Sequence, residues 1–175
     1  MSNVNVVPSH LNNFEFYLNG KKKPGLVDTT LPNLESKTTT ITGAGISGDI
    51  DMPVSGHTNN LTVEMNFRTT EETVLEMAEV RAYDFELFGA VEAYDAGTGE
   101  YITKSLRVML RLLPTSVELG KLSPAETMDT KLTGSVIYLK VSVDGVTKVE
   151  VDKLNYIYYV NGTDFLAKIR TALGM

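Results

Sequence analysis

The run Ile137-Tyr138-Leu139-Lys140-Val141-Ser142-Val143-Asp144-Gly145-Val146-Thr147-Lys148-Val149-Glu150-Val151 alternates apolar and polar residues on both sides of an Asp-Gly pair. That is the pattern of a β-hairpin. Before the turn, Ile137, Leu139, Val141 and Val143 share one face; after it, Val149 and Val151 continue the apolar set. A two-residue Asp144-Gly145 loop with regular pairing would set Val141 opposite Lys148 and break that face, because a one-residue slip moves every side chain to the other side. A three-residue loop containing Gly145, with a bulge, sets Val141 opposite Val149 and Leu139 opposite Val151. The bulged turn is the expected one.

Most of the remaining chain follows the same two-residue period. Phe14 to Leu18 alternates towards the turn signal Asn19-Gly20, and Leu61, Val63, Met65 and Phe67 line one face of a short strand. Tyr101 to Leu113 reads as a long strand with Ile102, Leu106, Val108, Leu110 and Leu112 on one side and Arg107 and Arg111 on the other. Two helices interrupt the strands. Thr69 or Thr70 is positioned to cap a helix over 71–81, with Glu72 three residues after Thr69 as in a capping box and Val74, Leu75 and Ala78 as its buried stripe. A shorter helix is expected over 164–173, capped by Thr163 and stopped at Gly174. Residues 114–131 form the longest irregular stretch and a candidate interface loop. The fold class expected is mainly β: an antiparallel β-barrel or sandwich with one flanking α-helix and a short C-terminal helix, in a single domain spanning 1–175.

Composition narrows the function. With 22 acidic against 16 basic residues the net charge is −6, opposite to what phosphate binding needs, so tight nucleic-acid binding is disfavoured. Nine of the acids lie within 71–100, where Arg81 is the only basic residue. An acidic segment on a nearly neutral body patterns a surface for contacts between copies, or is a solvated helix face and hairpin tip. The absence of cysteine removes disulfides, thiolate catalysis and cysteine metal sites. The first eight residues show no basic or apolar leader pattern, and no apolar run reaches the roughly 20 residues of a membrane span, so a chain made in the cytoplasm with no membrane anchor is expected.

Catalytic chemistry finds no anchor in the pattern. The two histidines, His10 and His57, have no sequence partners suited to a metal site or a serine triad. Gly43-Ala44-Gly45-Ile46-Ser47-Gly48 mimics a dinucleotide fingerprint, but the preceding strand is threonine-rich and no helix follows. No carboxylate pair is singled out by spacing. The expectation is a protein that is not an enzyme and has no cofactor or metal.

One segment fits an isolated subunit poorly. Ser36-Lys37-Thr38-Thr39-Thr40-Ile41-Thr42 has high β-propensity, yet neither of its faces is apolar enough for a core. The glycine-rich 43–48 and the acidic Asp49-Ile50-Asp51 follow. Such a strand leaves open edges that seek a partner, and a strand from another subunit would satisfy them.

With these segments placed, the chain resembles the major tail tube protein of contractile-tailed bacteriophages and R-type bacteriocins. The likeness is carried by Phe16-Tyr17-Leu18-Asn19-Gly20, Leu31-Pro32-Asn33-Leu34 and Gly43 to Gly48; by the acidic helix leading into Phe85-Glu86-Leu87-Phe88-Gly89 and the Asp95-to-Glu100 hairpin; and by Tyr159-Val160-Asn161-Gly162-Thr163-Asp164 near the end. The resemblance implies hexameric rings stacked into a rigid tube inside a contractile sheath, a conduit through a target cell envelope. Its implied partners are further copies of itself, the sheath protein, and baseplate and tail terminator proteins, with DNA only passing through the lumen in a phage. It places the protein in a virion tail or a released bacteriocin particle. It also implies an inter-subunit, lumen-lining hairpin at 36–51, while the N-terminal arm at 1–12 is slightly longer than the family's pattern. Thr38, Thr40, Ile41, Gly43, Gly45, Ile46 and Gly48 are then the interface residues, and Asp49, Asp51 and Glu64 are either lumen-facing acids that repel phosphates or carboxylates at subunit interfaces. A soluble β-sandwich module binding a ligand such as a carbohydrate is the alternative, although the chain has no tryptophan for an aromatic platform.

Overall fold

A computed structural model describes residues 5–23 and 25–175. In chain order the elements are β1 (Val6–Leu18), β2 (Lys21–Lys22), β3 (Leu26–Thr30), β4 (Ser36–Ile41), β5 (Ile50–Thr58), β6 (Thr62–Phe67), α1 (Glu72–Glu76), β7 (Tyr83–Asp95), β8 (Glu100–Glu118), β9 (Thr130–Val143), β10 (Val146–Asp152), β11 (Ile157–Val160), β12 (Thr163–Asp164) and α2 (Ala167–Ala172). All strand pairs among them are antiparallel. The main sheet runs β12-β11-β10-β9-β8-β7-β1-β2. Long β9 pairs with β8 along one edge and divides its other edge, giving Thr130–Ser135 to β6 and Tyr138–Val143 to β10. β3 then continues the sheet from β6.

The inward positions of this curled sheet meet in one core. Phe16 and Leu18 of β1, Val63, Met65 and Phe67 of β6, Phe85 and Leu87 of β7, Val108, Leu110 and Leu112 of β8, and Leu139 and Val151 of the last hairpin are all buried in it. Phe16 stacks on Phe85 at 5.5 Å between ring centroids and meets the edge of Phe67 at 6.1 Å. The outward positions of β7 and β8 are polar and paired across the strands. Arg111 donates two hydrogen bonds to Asp84 at 2.7 and 2.9 Å, and Arg107 donates one to Glu86 at 2.9 Å. Arg111 holds the Asp84 carboxyl below its ordinary pKa. Two of the nine acids of 71–100, Asp84 and Glu86, are therefore matched by arginines on the neighbouring strand.

The Val141–Val149 and Leu139–Val151 pairs form as expected, but by a different route. Val143 pairs with Val146, so the loop has two residues, with Asp144 at φ 50° and Gly145 at φ 77°. The extra residue is absorbed between Thr147 and Val149, where the register shifts. A tight turn matching the strand twist and a bulge one step later together keep the apolar face.

Both helices are shorter than the sequence pattern suggests. α1 covers only Glu72–Glu76, with Glu71 at its start and no side-chain cap. The Thr70 hydroxyl is engaged elsewhere, donating to the Leu119 carbonyl and lying 2.7 Å from the Thr130 hydroxyl. Val74 and Met77 supply the buried contacts, while Leu75 and Ala78 face solvent. The chain turns back at once, and the Tyr83 hydroxyl donates to the Glu76 carbonyl. At the other end, Asn161 and Gly162, at φ 47° and 94°, make a turn that pairs Thr163–Asp164 with β11. α2 therefore starts only after Leu166, and Asp164 rather than Thr163 accepts from the Leu166 amide at 3.0 Å. Gly174, at φ 74°, follows its C-cap as expected.

The expected loop at 114–131 shrinks as well. Pro114 to Glu118 remain in β8, which pairs with β9 through an irregularity at Pro114, and Thr130–Lys131 already belong to β9. Pro114 sits where a missing ladder donor is tolerated. Within the true loop, 119–129, Gly120 has φ 75°, and a Cβ there would lie 1.9 Å from the Met128 carbonyl oxygen. Lys121 donates to that same carbonyl at 2.8 Å. Gly120→Ala is expected to destabilise the unassembled subunit by about 2–3 kcal/mol in urea titrations, because positive φ and the carbonyl clash must both be relieved. Unchanged stability would show that the loop yields freely.

Candidate functional site, an exposed hairpin arm

Among the described residues, β4 and β5 pair only with each other and form a sheet separate from the main one. The hairpin is longer than the expected 36–51, since β5 continues to Thr58. Its neck is closed by a backbone bond from Asn59 N–H to the Glu35 carbonyl at 2.9 Å. β4 is exposed throughout, and so is β5 as far as Ser55. Six residues of strand reach about 20 Å. A lone two-stranded hairpin of this kind is only marginally stable in water, and both of its outer edges carry unpaired backbone groups.

Register gives the arm two unlike faces. Ile41 pairs with Ile50 and Thr39 with Met52, so these four share a side; alternation adds Val54. Ile41, Ile50, Met52 and Val54 are 38%, 50%, 49% and 36% exposed, too open for settled core residues. The other face carries the Thr38–Pro53 and Thr40–Asp51 pairs, and the Thr40 hydroxyl donates to the Asp51 carboxylate at 2.7 Å. β4 alone lacks an apolar face; with β5 the arm has one. The signal was present at Ile50, Met52 and Val54, spaced two apart, behind the acidic reading of Asp49-Ile50-Asp51.

The expected site residues fall as follows. Thr38, Thr40 and Ile41 lie in β4, and Gly43, Gly45, Ile46 and Gly48 make the tip, with Ile46 half-buried and the others exposed. Gly45 and Gly48 have φ of 93° and 104°, a conformation that suits glycine. Asp49 and Asp51 are exposed beside the tip. Glu64 stands apart from them on β6, where its carboxylate pairs with Lys131 at 2.8 Å. Of the expected N-terminal arm, residues 6–12 run in β1 along β7, and residues 1–4 lie outside the described residues.

The arm is footed on the C-terminal segment. A Cβ on Gly56 would fall 2.3 Å from Leu166, so the arm's base passes directly over that side chain. Leu166 is held in turn by Arg170, which donates to Asp164 at 2.6 Å and to the Tyr156 carbonyl at 2.6 Å. These contacts lower the Asp164 pKa, chiefly through the Arg170 hydrogen bond and with help from the Leu166 amide, against the opposing effect of burial. A carboxyl whose folded pKa is depressed stabilises the fold above its unfolded value of about 3.9 and loses that contribution as pH falls through the folded value. Subunit stability should therefore decline below about pH 4, and Asp164→Asn should flatten that part of the curve. Equal acid slopes in the two proteins would exclude Asp164 as a source.

No arrangement suited to catalysis accompanies the arm. His57 lies in β5 rather than a loop, and His10 is not unaccompanied, since its Nε2 lies 3.5 Å from Glu92 on the exposed face of β1 and β7. Among the described residues there is no cluster of three or more histidine, aspartate or glutamate side chains able to hold a metal. A depression on the outer face, lined by Asp84, Arg111, Tyr138 and Asp152, has its acids engaged or solvated. There the Tyr138 hydroxyl is pushed up to about 12 by burial and by its bond to Glu150. No helix among the described residues is long and apolar enough to cross a membrane.

Residues 8–174 match the family model of phage tail tube protein FII. The chain is 26% identical to the tail tube protein of Escherichia phage P2, over 97% of its own length and 99% of the relative's. It is also 26% identical to the major tail tube protein of Serratia phage KSP20, over 97% and 98%. Among solved structures, its fold is similar to a chain of the sheath-tube complex of PVC, an extracellular contractile injection system, in the extended state. That match has a TM-score of 0.53 at 12% identity, covering 78% of this chain and 90% of that one. A chain of the PVC sheath/tube terminator matches with a TM-score of 0.51 at 13% identity, over 75% and 94%.

Proposed function

Because the chain belongs to the phage tail tube protein FII family, which is structural and not enzymatic, we propose that it forms hexameric rings that stack into the rigid inner tube of a contractile tail. The tube is a conduit through the target cell envelope, in a phage or in a phage-tail-like bacteriocin. The observation that carries this reading is the arm: a two-faced hairpin with open edges and exposed isoleucines, which a neighbouring copy would complete. Its partners are further copies, the contractile sheath, and baseplate and terminator proteins. The whole of 1–175 acts as one tail-tube domain, made in the host cytoplasm and carried in the particle.

The two faces divide the work. Ile41, with the tip residues Gly43, Gly45, Ile46 and Gly48, meets the neighbouring subunit, and the Thr38 and Thr40 strand joins the ring through its backbone. The face bearing Asp51, with Asp49 beside it, lines the lumen, where fixed negative charge repels phosphates and lets DNA pass without sticking. Negative-stain microscopy of the concentrated protein should show hollow tubes of uniform width. Monodisperse single subunits at every concentration and salt condition would overturn the reading.

A further inference from the structure

Three turns of the same form occur in the main sheet. Asn19-Gly20, Asp144-Gly145 and Asn161-Gly162 are each a two-residue loop, closed by the pairs Leu18–Lys21, Val143–Val146 and Val160–Thr163. Their first residues have φ of 48°, 50° and 47°, and their glycines 75°, 77° and 94°. All three are exposed. In each, the backbone N–H of the first residue donates to a strand beyond the hairpin: Asn19 to the Asp84 carbonyl, Asp144 to the Ser105 carbonyl and Asn161 to the Lys148 carbonyl, at 2.8, 2.9 and 2.8 Å. The side chains differ. Asn19 Oδ1 accepts from the Asp84 N–H at 3.2 Å, and Asp144 Oδ1 accepts from the Ser105 N–H at 2.8 Å, so both are tied to the strand that already holds their backbone. The Asn161 side chain makes no hydrogen bond among the described residues; the bonds next to it join Asp164 to Leu166 and Arg170 instead. The reason lies in β10. Lys148 is the extra residue at the register shift between Thr147 and Val149, and the bulge removes the second tie that Asp84 and Ser105 provide.

We propose that Asn161 is a site of spontaneous deamidation, because its side chain alone among these turns is at liberty to react. The Gly162 backbone nitrogen attacks the Asn161 side-chain carbonyl carbon and passes its proton to water, and the side-chain nitrogen leaves as ammonia. Water then opens the cyclic imide at either carbonyl, leaving aspartate or isoaspartate at 161. Glycine in second place favours the attack, since no Cβ stands beside its nitrogen. The Gly162 N–H makes no hydrogen bond among the described residues that would hold it back. Closing the imide requires the turn to relax, and β12 resists little, being two residues long at the end of the sheet. The Asn19 turn borders an equally short strand, β2, but must also give up its Oδ1 bond. One net hydrogen bond corresponds to about a two- to tenfold difference in rate. The product matters to the fold around it. Isoaspartate carries the main chain through its side-chain carbon, adding a methylene to a turn that fits two residues, and it brings a negative charge close to Asp164. Asp164 then loses its place on β11, and with it the hold on Leu166 and Arg170. Since Leu166 lies under Gly56, a slow covalent change at the surface reaches the foot of the arm.

The full-length subunit would be aged at mildly alkaline pH, digested at intervals and followed by mass spectrometry, with fragment spectra placing the exchange of ammonia for water at single residues. A parallel sample unfolded in guanidinium chloride gives the rate of each Asn-Gly pair without the fold. Divided by its own unfolded rate, deamidation at Asn161 should exceed that at Asn19 by about two- to tenfold. An equal or smaller ratio would overturn the assignment, as would both turns staying intact in the folded protein while the unfolded chain reacts. Transfer of a labelled methyl group by an isoaspartyl methyltransferase should mark the peptide that contains residue 161. Amide hydrogen exchange at 163–166 should be faster in the isoaspartyl fraction than in fresh protein. Unchanged exchange there would overturn the link from the turn to Leu166.

Discussion

Ile41→Asp is expected to abolish tube formation while leaving the unassembled subunit as stable as the parent. Ile41 lies on an arm whose sheet is separate from the one that encloses the core, so the core does not register the change. At an interface the change acts twice. Burying an isoleucine side chain contributes roughly 1.5–3 kcal/mol, and a carboxylate in its place resists desolvation. Each loss of about 1.4 kcal/mol weakens association tenfold, so about 3 kcal/mol per contact raises the concentration needed for assembly more than a hundredfold. Sedimentation and microscopy would read the assembly, and thermal melting would read the subunit. Normal tubes from Ile41→Asp would remove it as an anchor. Hydrogen exchange adds an independent measure: residues 38–51 should exchange freely in the subunit and slowly in the tube, and strong protection already in the subunit would sink the idea.

Phe85→Ala should do the reverse, crippling the subunit wherever it is measured. Its ring is buried between Phe16, on which it stacks, and Tyr83, 6.5 Å away between centroids. Truncation leaves a cavity in the middle of three strands, and such changes cost about 3–5 kcal/mol. For a chain of this size that lowers Tm by about 10 °C. Urea unfolding of the dispersed subunit would check the value. A loss under about 1 kcal/mol would mean that the aromatic cluster repacks and does not organise the core.

The core is legible in the sequence because one strand face is enough to mark it. Leu61, Val63, Met65 and Phe67 alternate without interruption, and all four are buried. The inward residues of β8 behave in the same way from Val108 to Leu112. Helix ends are not legible in this way, because the deciding partners are distant in sequence. Thr70 is a good cap until Leu119 and Thr130 claim its hydroxyl. Asp164 reads as the first residue of a helix until Asn161-Gly162 folds it back onto β11. Asn-Gly is itself a strong hairpin signal, so that turn was available to a closer reading.

The arm was half legible. The poverty of Ser36 to Thr42 shows in composition, and it points to pairing outside the subunit. The apolar face appears only when two strands are laid side by side, because Ile41 contributes one side chain and Ile50, Met52 and Val54 the rest. A depression lined by Phe14, Thr29, Leu31, Leu87, Leu106 and Val108 offers no such signal. Its residues come from β1, β7, β8 and the end of β3 with Leu31 just beyond it, and they continue the same alternation that builds the core. Sequence periodicity reports which way a side chain points and says nothing about whether anything lies above it.

The neck of the arm has a consequence for how this protein tolerates change. The chain leaves the body after β3 and returns at β6, and those two strands are neighbours in the sheet, with Thr30 beside Glu64. The Asn59–Glu35 bond closes the gap just outside them. Everything between is thus a detachable module, inserted at the point where a short loop would otherwise join adjacent strands. From Thr38 to Ser55, short of the base where Gly56 lies against Leu166, its length and charge are free to drift, or to be redesigned, without disturbing the packing of the body. In the proposed tube, the bore of the channel and the electrical character of its wall would then be adjustable quantities, separate from the architecture that holds them.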